Sequence, residues 1–428
     1  MTLEIIDLRG GAAVDRPTPR RAALDPGVVE RARDIIARVR IEGDAALVDL
    51  AMRFDGADLR GSGLLVSPDE FEMAERSVPT ELKAAIERMV RRLRDLHGRQ
   101  LPQEWWDERD GVRFGELVRP MARAGCYVPG GRASYPSTVC MTVVPARVAG
   151  VEHVVVCTPP APDGSVPPAV LLAAARADAD IVVKAGGAQA VAAMAYGTES
   201  VPRVDVIAGP GNVYVTAAKR EVSGDVRIDS LAGPSELVIV ADESADPAVL
   251  AVDLVAQAEH DPLAWTTLVT SDAALAAQVG EALDAEVARA TRRDVVASSI
   301  GFARAVVVED VDQAAEVVND FAPEHLQVIV AESRSFLGKV RNAGAIFLGP
   351  WTAVTFGDYG AGSNHVLPTM GTARFSSGLR VTDFLTVSSV TELDGDAAAR
   401  LAPDVVAIAR AEGLEGHARA VEVRARDA

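Results

Sequence analysis

From Val154 onward the chain alternates short β-branched runs with longer alanine-rich runs, and this order constrains the fold more than any other feature. VVVCT leads into AVLLAAARADA, DIVVKAGG into AQAVAAMAYG, and VDVIAGPGN into VYVTAAKREV. A strand–helix–strand series of this kind requires a parallel sheet covered by helices. ELVIVAD at 236–242 opens a second series. It runs through VLAVDLVAQAEH, AWTTLVTSD, LAAQVGEALDAEVARA, ARAVVVED and LQVIVAE to GAIFLGP at 344–350. The expected fold class is therefore α/β, with two Rossmann-like parallel-sheet domains, N-terminal helices and a small C-terminal helical segment.

The expected boundaries follow the changes of pattern. Residues 1–126 form an N-terminal helical segment that packs with the second α/β domain, and a loop holds Trp105 and Trp106. The first Rossmann-like domain covers 127–235 and the second 236–377, whose last part, 357–377, reads as an ordered loop. A strand-like FLTVSSV and a closing helix make up 378–428, a tail too small to fold alone.

Composition narrows the partners. A length of 428 residues exceeds one small core, and the apolar share of 49% with only 4% aromatics suits helices packed closely on a sheet. The formal charge of −18 repels phosphate backbones and anionic membranes, so neither nucleic acid nor a membrane is an expected partner. No secretory signal and no run of about 18 apolar residues is evident. Cys126, Cys140 and Cys157 lack CxxC spacing, which fits a reducing cytoplasm.

Four polar constellations interrupt this apolar chain. In the stretch 228–260, a strand, an Ala-Gly-Pro turn, a second strand and a helix end in Gln257-Ala258-Glu259-His260. Gln257 and His260 are three residues apart and so share a helical face. An amide oxygen and an imidazole aimed at one point form half of a metal or substrate site. Asp320-Phe321-Ala322-Pro323-Glu324-His325 sets a carboxylate beside an imidazole, two proton-transfer groups at one chain position. Its plain reading is a surface pair at a strand start. Phe356-Gly357-Asp358 begins a glycine-rich stretch through His365, where flexible backbone can turn the Asp358 carboxylate inward. The plain reading there is a turn-forming Asp. Glu412-Gly413-Leu414-Glu415-Gly416-His417 sets polar groups where glycines weaken a helix, and solvated charge is its plain reading. Of the other histidines, His97 reads as a surface residue and His153 as structural.

Together these segments resemble histidinol dehydrogenases in order and approximate spacing, over nearly the whole chain. The resemblance includes Tyr127-Val128-Pro129-Gly130-Gly131, Ala185-Gly186-Gly187-Ala188-Gln189, Ala208-Gly209-Pro210-Gly211-Asn212 and His365-Val366-Leu367-Pro368-Thr369. It implies Gln257, His260, Asp358 and His417 as zinc ligands. It implies substrate contacts from Ser235, Glu324, His325, Asp358, Glu412 and the ligand histidines. It places NAD against Tyr127, Gln189 and Asn212. It also implies a homodimer in which the C-terminal segment, with Glu412 and His417, crosses to the partner's site. No GxGxxG follows the first strand of either series, so NAD binding rests on the resemblance.

The implied chemistry is a two-step, NAD-dependent oxidation of L-histidinol to L-histidine through the aldehyde, the last steps of histidine biosynthesis. His325 is the candidate base for the alcohol, and Glu324 the candidate for activating the water. Two alternatives stay open: a related zinc and NAD dehydrogenase of another small polar alcohol, such as a sulfonated diol, and a zinc hydrolase. Glu412 and His417 suit a cationic, imidazole-bearing substrate better than a sulfonate. A hydrolase would most often carry a helical HExxH, which is absent. A thiol-based aldehyde dehydrogenase is also conceivable, but no cysteine is assigned a catalytic role.

Overall fold

The computed structural model describes residues 3–11, 25–131 and 134–425. Its strands are β1 (Glu4–Asp7), β2 (Trp105–Arg109), β3 (Val112–Pro120), β4 (Arg123–Tyr127), β5 (His153–Thr158), β6 (Ile181–Lys184) and β7 (Val206–Ala208). They continue with β8 (Arg227–Ile228), β9 (Glu236–Ala241), β10 (Trp265–Thr270), β11 (Arg304–Val307), β12 (His325–Ile329), β13 (Ala345–Leu348) and β14 (Leu385–Leu393). Two parallel sheets form, in the orders β6-β5-β4-β7-β8 and β1-β11-β10-β9-β12-β13. The expected α/β class and its two parallel sheets are thus present. The inner strands are buried on both faces, as helices on each side of a sheet demand.

Several expectations change. The first sheet starts at Arg123 rather than after Tyr127, because Ala124 to Tyr127 are buried between β5 and β7. The N-terminal segment is not wholly helical, since it holds β1 to β3 and most of β4. Its helices Pro26–Glu42 and Asp44–Asp55 share a core with the first sheet and its helices Gly187–Tyr196 and Val213–Val222. Helices Pro68–Ser77 and Thr80–Gly98 lie on helices Pro168–Ala177 and Pro136–Ala149. Within this segment, β1 joins the second sheet by pairing with β11. Helix Thr80–Gly98 buries Ile86, Met89, Val90, Leu93 and His97 on one stripe. His97 therefore sits inside, with Nδ1 2.9 Å from Gln100 Oε1 and Nε2 3.2 Å from the Asn364 amide.

The chain divides into two compact units. One comprises Met1–Gln100 and Ala122–Phe384, and the other Leu101–Met121 and Leu385–Ala428. In the second unit Trp105 and Trp106 lie on β2, not in a loop. Asp110 and Gly111, with φ of 51° and 71°, form the two-residue turn that joins β2 to β3. β14 pairs antiparallel with β3 from Leu385 to Leu393, so the expected strand-like FLTVSSV run is a strand, and it holds the tail on this hairpin. Helices Gly395–Ala411 and Glu415–Ala425 follow, separated where Gly413 takes φ of 75°. No helix among the described residues is long and apolar enough to cross a membrane.

Candidate active site

The buried pair Glu324 and His325 is set by a helix stop. Helix Val311–Phe321 ends at Ala322 in the left-handed region, and Pro323 prevents its continuation. β12 then begins at His325, level with Leu237 of β9. The main chain of Glu236 holds both side chains. Its N–H donates to Glu324 Oε2 at 2.8 Å, and its carbonyl lies 3.0 Å from His325 Nδ1. A carbonyl can only accept, so Nδ1 carries a proton and Nε2 faces away. His325 Nε2 is buried with no hydrogen-bond partner among the described residues. Burial opposes charge on His325. The Glu324 carboxylate, 3.4 Å away, outweighs it together with Asp358 and the Glu236 carbonyl, raising the imidazole to about 9.

Glu236 carries no signal of its own in the sequence beyond following Ser235, yet it is central to the geometry. Its Oε1 accepts the Met370 N–H at 2.8 Å, while Oε2 is buried without a partner among the described residues. Burial, and then the charge of Glu324, pushes its carboxyl up to about 8. Ser235 precedes β9. It is half-buried, and its carbonyl accepts the Trp265 N–H at 2.9 Å. Ser235, Glu324 and His325 thus gather at the amino edge of the second sheet.

Gln257, His260 and Asp358 lie in the same compact unit. Helix Pro247–Ala258 stops before His260, which was expected to lie on it. A tightened last turn, with the His260 N–H donating to the Gln257 carbonyl at 3.3 Å, still keeps the two residues one turn apart. Gln257 is buried and its amide nitrogen has no partner among the described residues, while His260 is exposed. Asp358 is buried on helix Val354–Tyr359. Gly357 before it is a packing requirement, since a Cβ there would lie 2.5 Å from the Phe347 ring. His365 Nδ1 is 3.3 Å from the Asp358 carbonyl, and its Nε2 is 3.2 Å from Thr138 Oγ1. Burial lowers the His365 pKa, Asp358 raises it, and charges on His260 and His325 lower it further. These four groups are therefore electrostatic neighbours. His365 stood in the third constellation without an assigned role.

Among the described residues, no three His, Cys, Asp or Glu side chains cluster as a metal site. The expected zinc set explains this count. It has two such residues and one amide in the first unit, and its fourth member, His417, is in the second. The donor types themselves suit the ion: an imidazole nitrogen, a carboxylate and an amide oxygen, although the unpartnered atom of Gln257 is its amide nitrogen, which donates and does not ligate a metal. His417 is exposed on helix Glu415–Ala425. Glu412 is exposed as well, at the end of helix Gly395–Ala411, where its N–H donates to the Ile408 carbonyl at 3.1 Å.

Tyr127, Gln189 and Asn212 lie at the carboxyl edge of the first sheet. The chain steps from β4 to β5 and β6 on one side, then crosses to β7 on the other. A crevice opens at such a switch point, between β4 and β7. Gly209, just past β7, takes φ of +121°, and a Cβ on it would come 2.1 Å from the Tyr127 carbonyl. The Tyr127 hydroxyl accepts the Gly187 N–H at 3.1 Å, and burial raises its pKa to about 12. Gln189 is buried in the first turn of helix Gly187–Tyr196. Asn212 is exposed and caps helix Val213–Val222, its Oδ1 accepting from the N–H of Tyr214 at 3.0 Å and Val215 at 3.2 Å. All three cysteines are free and buried, and burial pushes their thiols up.

A family model described as histidinol dehydrogenase matches residues 18–425. A histidinol dehydrogenase of Moorella thermoacetica is 48% identical over 422 residues, covering 98% of this chain and 100% of that protein. One from Halalkalibacterium halodurans is 49% identical over 395 residues, covering 92% and 93%. The crystal structure of histidinol dehydrogenase from Elizabethkingia anophelis superposes with a TM-score of 0.93 at 32% identity, covering 99% of this chain and 98% of that one.

Proposed function

Because the chain belongs to the histidinol dehydrogenase family, we propose that it oxidises L-histidinol to L-histidine in two NAD-dependent steps through histidinaldehyde. The observation that carries this reading is the buried pair at the start of β12. His325 has one nitrogen fixed on the Glu236 carbonyl and the other buried and unpartnered, and Glu324 lies beside it.

The two steps need different groups. In the first, the neutral form of His325, favoured as pH rises toward about 9, takes the hydroxyl proton at Nε2 as hydride leaves the carbinol carbon. Nδ1, committed to the carbonyl, fixes the ring for that task. In the second, Glu324 takes a proton from water as its oxygen adds to the aldehyde carbon. His325 returns its first proton to the oxygen that was the aldehyde's, completing the diol, and then removes a proton from that diol as the second hydride leaves. When bound, NAD would supply the hydride acceptor that each step requires. Ser235 hydrogen-bonds the substrate near the carbinol, and the buried surroundings of the pair exclude competing water.

Gln257, His260, Asp358 and His417 would hold zinc, which when bound orients the substrate's imidazole and amino nitrogens and adds Lewis-acid assistance. The remaining contacts fall to Asp358 and to Glu412, which pairs with the cationic side of the substrate. Tyr127, Gln189 and Asn212, at the carboxyl edge of the first sheet, would hold the dinucleotide. Glu412 and His417 come from the partner subunit of a homodimer. Helix Gly395–Ala411 supports this, since Leu401, Val405 and Ile408 form an exposed apolar stripe suited to a subunit contact. Three free cysteines and the enzyme's biosynthetic task fit the cytoplasm.

The test is NADH formation from L-histidinol before and after zinc chelation. Activity should fall on chelation and return on zinc addition. Absence of NADH from L-histidinol in the zinc-replete protein would overturn the reading.

A further inference from the structure

A buried ion pair stands behind the switch-point turn of the first sheet. Lys219, on helix Val213–Val222, and Asp229, just past β8, have side chains 2% and 3% exposed and contact each other directly. Both also grip one residue, Gly209. Lys219 Nζ donates to its carbonyl at 3.0 Å, and Asp229 Oδ2 accepts its N–H at 2.7 Å. Gly209 is the residue with φ of +121° whose missing Cβ lets it approach Tyr127. It leads through Pro210 and Gly211 to Asn212. The conformation of 209–212 is thus fixed from behind by two charges that water does not reach.

Asp229 also begins the segment that leads from β8 to β9 and the catalytic edge. Its Oδ1 accepts the Ser230 N–H at 2.6 Å, and its own N–H donates to the Ile207 carbonyl at 3.2 Å. Three residues on, the Ala232 carbonyl accepts from Thr216 Oγ1 at 2.8 Å, so helix Val213–Val222 holds this segment twice. A buried ion pair adds little net stability compared with an apolar pair of the same volume, because desolvation offsets the attraction. Its value lies in the geometry it imposes, and here it holds both polar groups of one peptide position.

We propose that Lys219 and Asp229 are positioning residues for the dinucleotide: they hold the 209–212 turn in the shape that admits it. This rests on the reading of that turn as part of the NAD site. Neither side chain touches the dinucleotide or the substrate. Removing one charge leaves the other buried and unpaired and lets the turn relax, so NAD binding weakens while histidinol binding does not.

Direct titration of NAD and of L-histidinol onto the zinc-loaded protein tests this with four variants: Lys219→Met, Asp229→Asn, the double variant, and Gly209→Ala. Lys219→Met should raise the NAD Kd at least tenfold and leave the histidinol Kd within about twofold. The double variant, neutral at both positions, should recover at least threefold of that loss, which a simple loss of packing would not show. If Lys219→Met fails to fold, Asp229→Asn decides. It keeps an acceptor for the Gly209 N–H but loses the charge, and should weaken NAD at least threefold. A folded Lys219→Met or Asp229→Asn protein with native NAD affinity overturns the proposal, as does an equal loss of both affinities. Gly209→Ala, which blocks the turn itself, separates the two levels. If it weakens NAD while the charge variants do not, the clamp fails and the site reading stands. If it leaves NAD affinity unchanged, the site reading fails and the proposal with it.

Discussion

The proposed reaction assigns its proton transfers to two adjacent side chains, Glu324 and His325, with separable tasks. Glu324→Gln should slow oxidation of histidinaldehyde more than that of histidinol, whereas His325→Asn should slow both, since each step removes a proton near the same carbon. A positioned acid or base contributes roughly 10²–10⁴ in rate, so single-turnover kinetics from each substrate resolves the difference. Normal aldehyde oxidation by the Glu324 variant would remove Glu324 from the second step. Glu236, one strand away, should show itself in stability. Its carboxyl ionises near 4.5 when free and at about 8 in the fold, because burial and Glu324 oppose its charge. The stability that its protonated form contributes is complete below 4.5 and is lost as pH rises through about 8. Glu236→Gln should therefore flatten the decline in urea midpoint between pH 5 and 8.5, and an unchanged slope would contradict this. Glu324 and His325 were legible in the sequence because an acid and an imidazole stand together after a helix stop. Glu236 was not, because its importance lies in main-chain bonds to residues 88 and 89 positions away. His97 misled in the opposite direction, since a charged helix hides which of its faces is covered.

At the scale of elements, the alternating strand and helix runs were legible because burial on both faces forces continuous β-branched runs in a parallel sheet. The crossing order that creates the switch point between β4 and β7 was not, since each strand pairs with others far along the chain. The Trp105–Arg109 strand was missed although its signal was present: Asp110-Gly111 is a strong two-residue hairpin turn. Helix Pro247–Ala258 ended two residues early, yet its tightened last turn kept Gln257 and His260 together. The two sheets use opposite edges. Tyr127 ends β4 and Gln189 and Asn212 follow strands, whereas Ser235, Glu324 and His325 stand at strand starts. The usual placement of ligands at carboxyl ends would find the first set and overlook the second. The polar sequence motifs pointed to both sets, because they report donor chemistry and not the direction of the strand beside them.

At the scale of the whole molecule, the tail that holds Glu412 and His417 folds with the hairpin near 105–120. If Glu412 and His417 serve the partner subunit, His260→Asn and His417→Asn subunits should complement each other. Both lesions then fall in one site of the mixed dimer and leave the other intact. Each homodimer should bind zinc poorly, with one of four ligands missing. The mixed dimer should recover up to about half of the native activity if the two sites work independently. No recovery in a verified mixed dimer would return His417 to its own subunit or remove it from the ligand set. The central claim is that a single site, with one pair of proton-transfer groups, completes both oxidations. The most direct measurement is the number of NADH formed per L-histidinol consumed, with the product identified. Two NADH and L-histidine are predicted; one NADH with released histidinaldehyde would contradict the account.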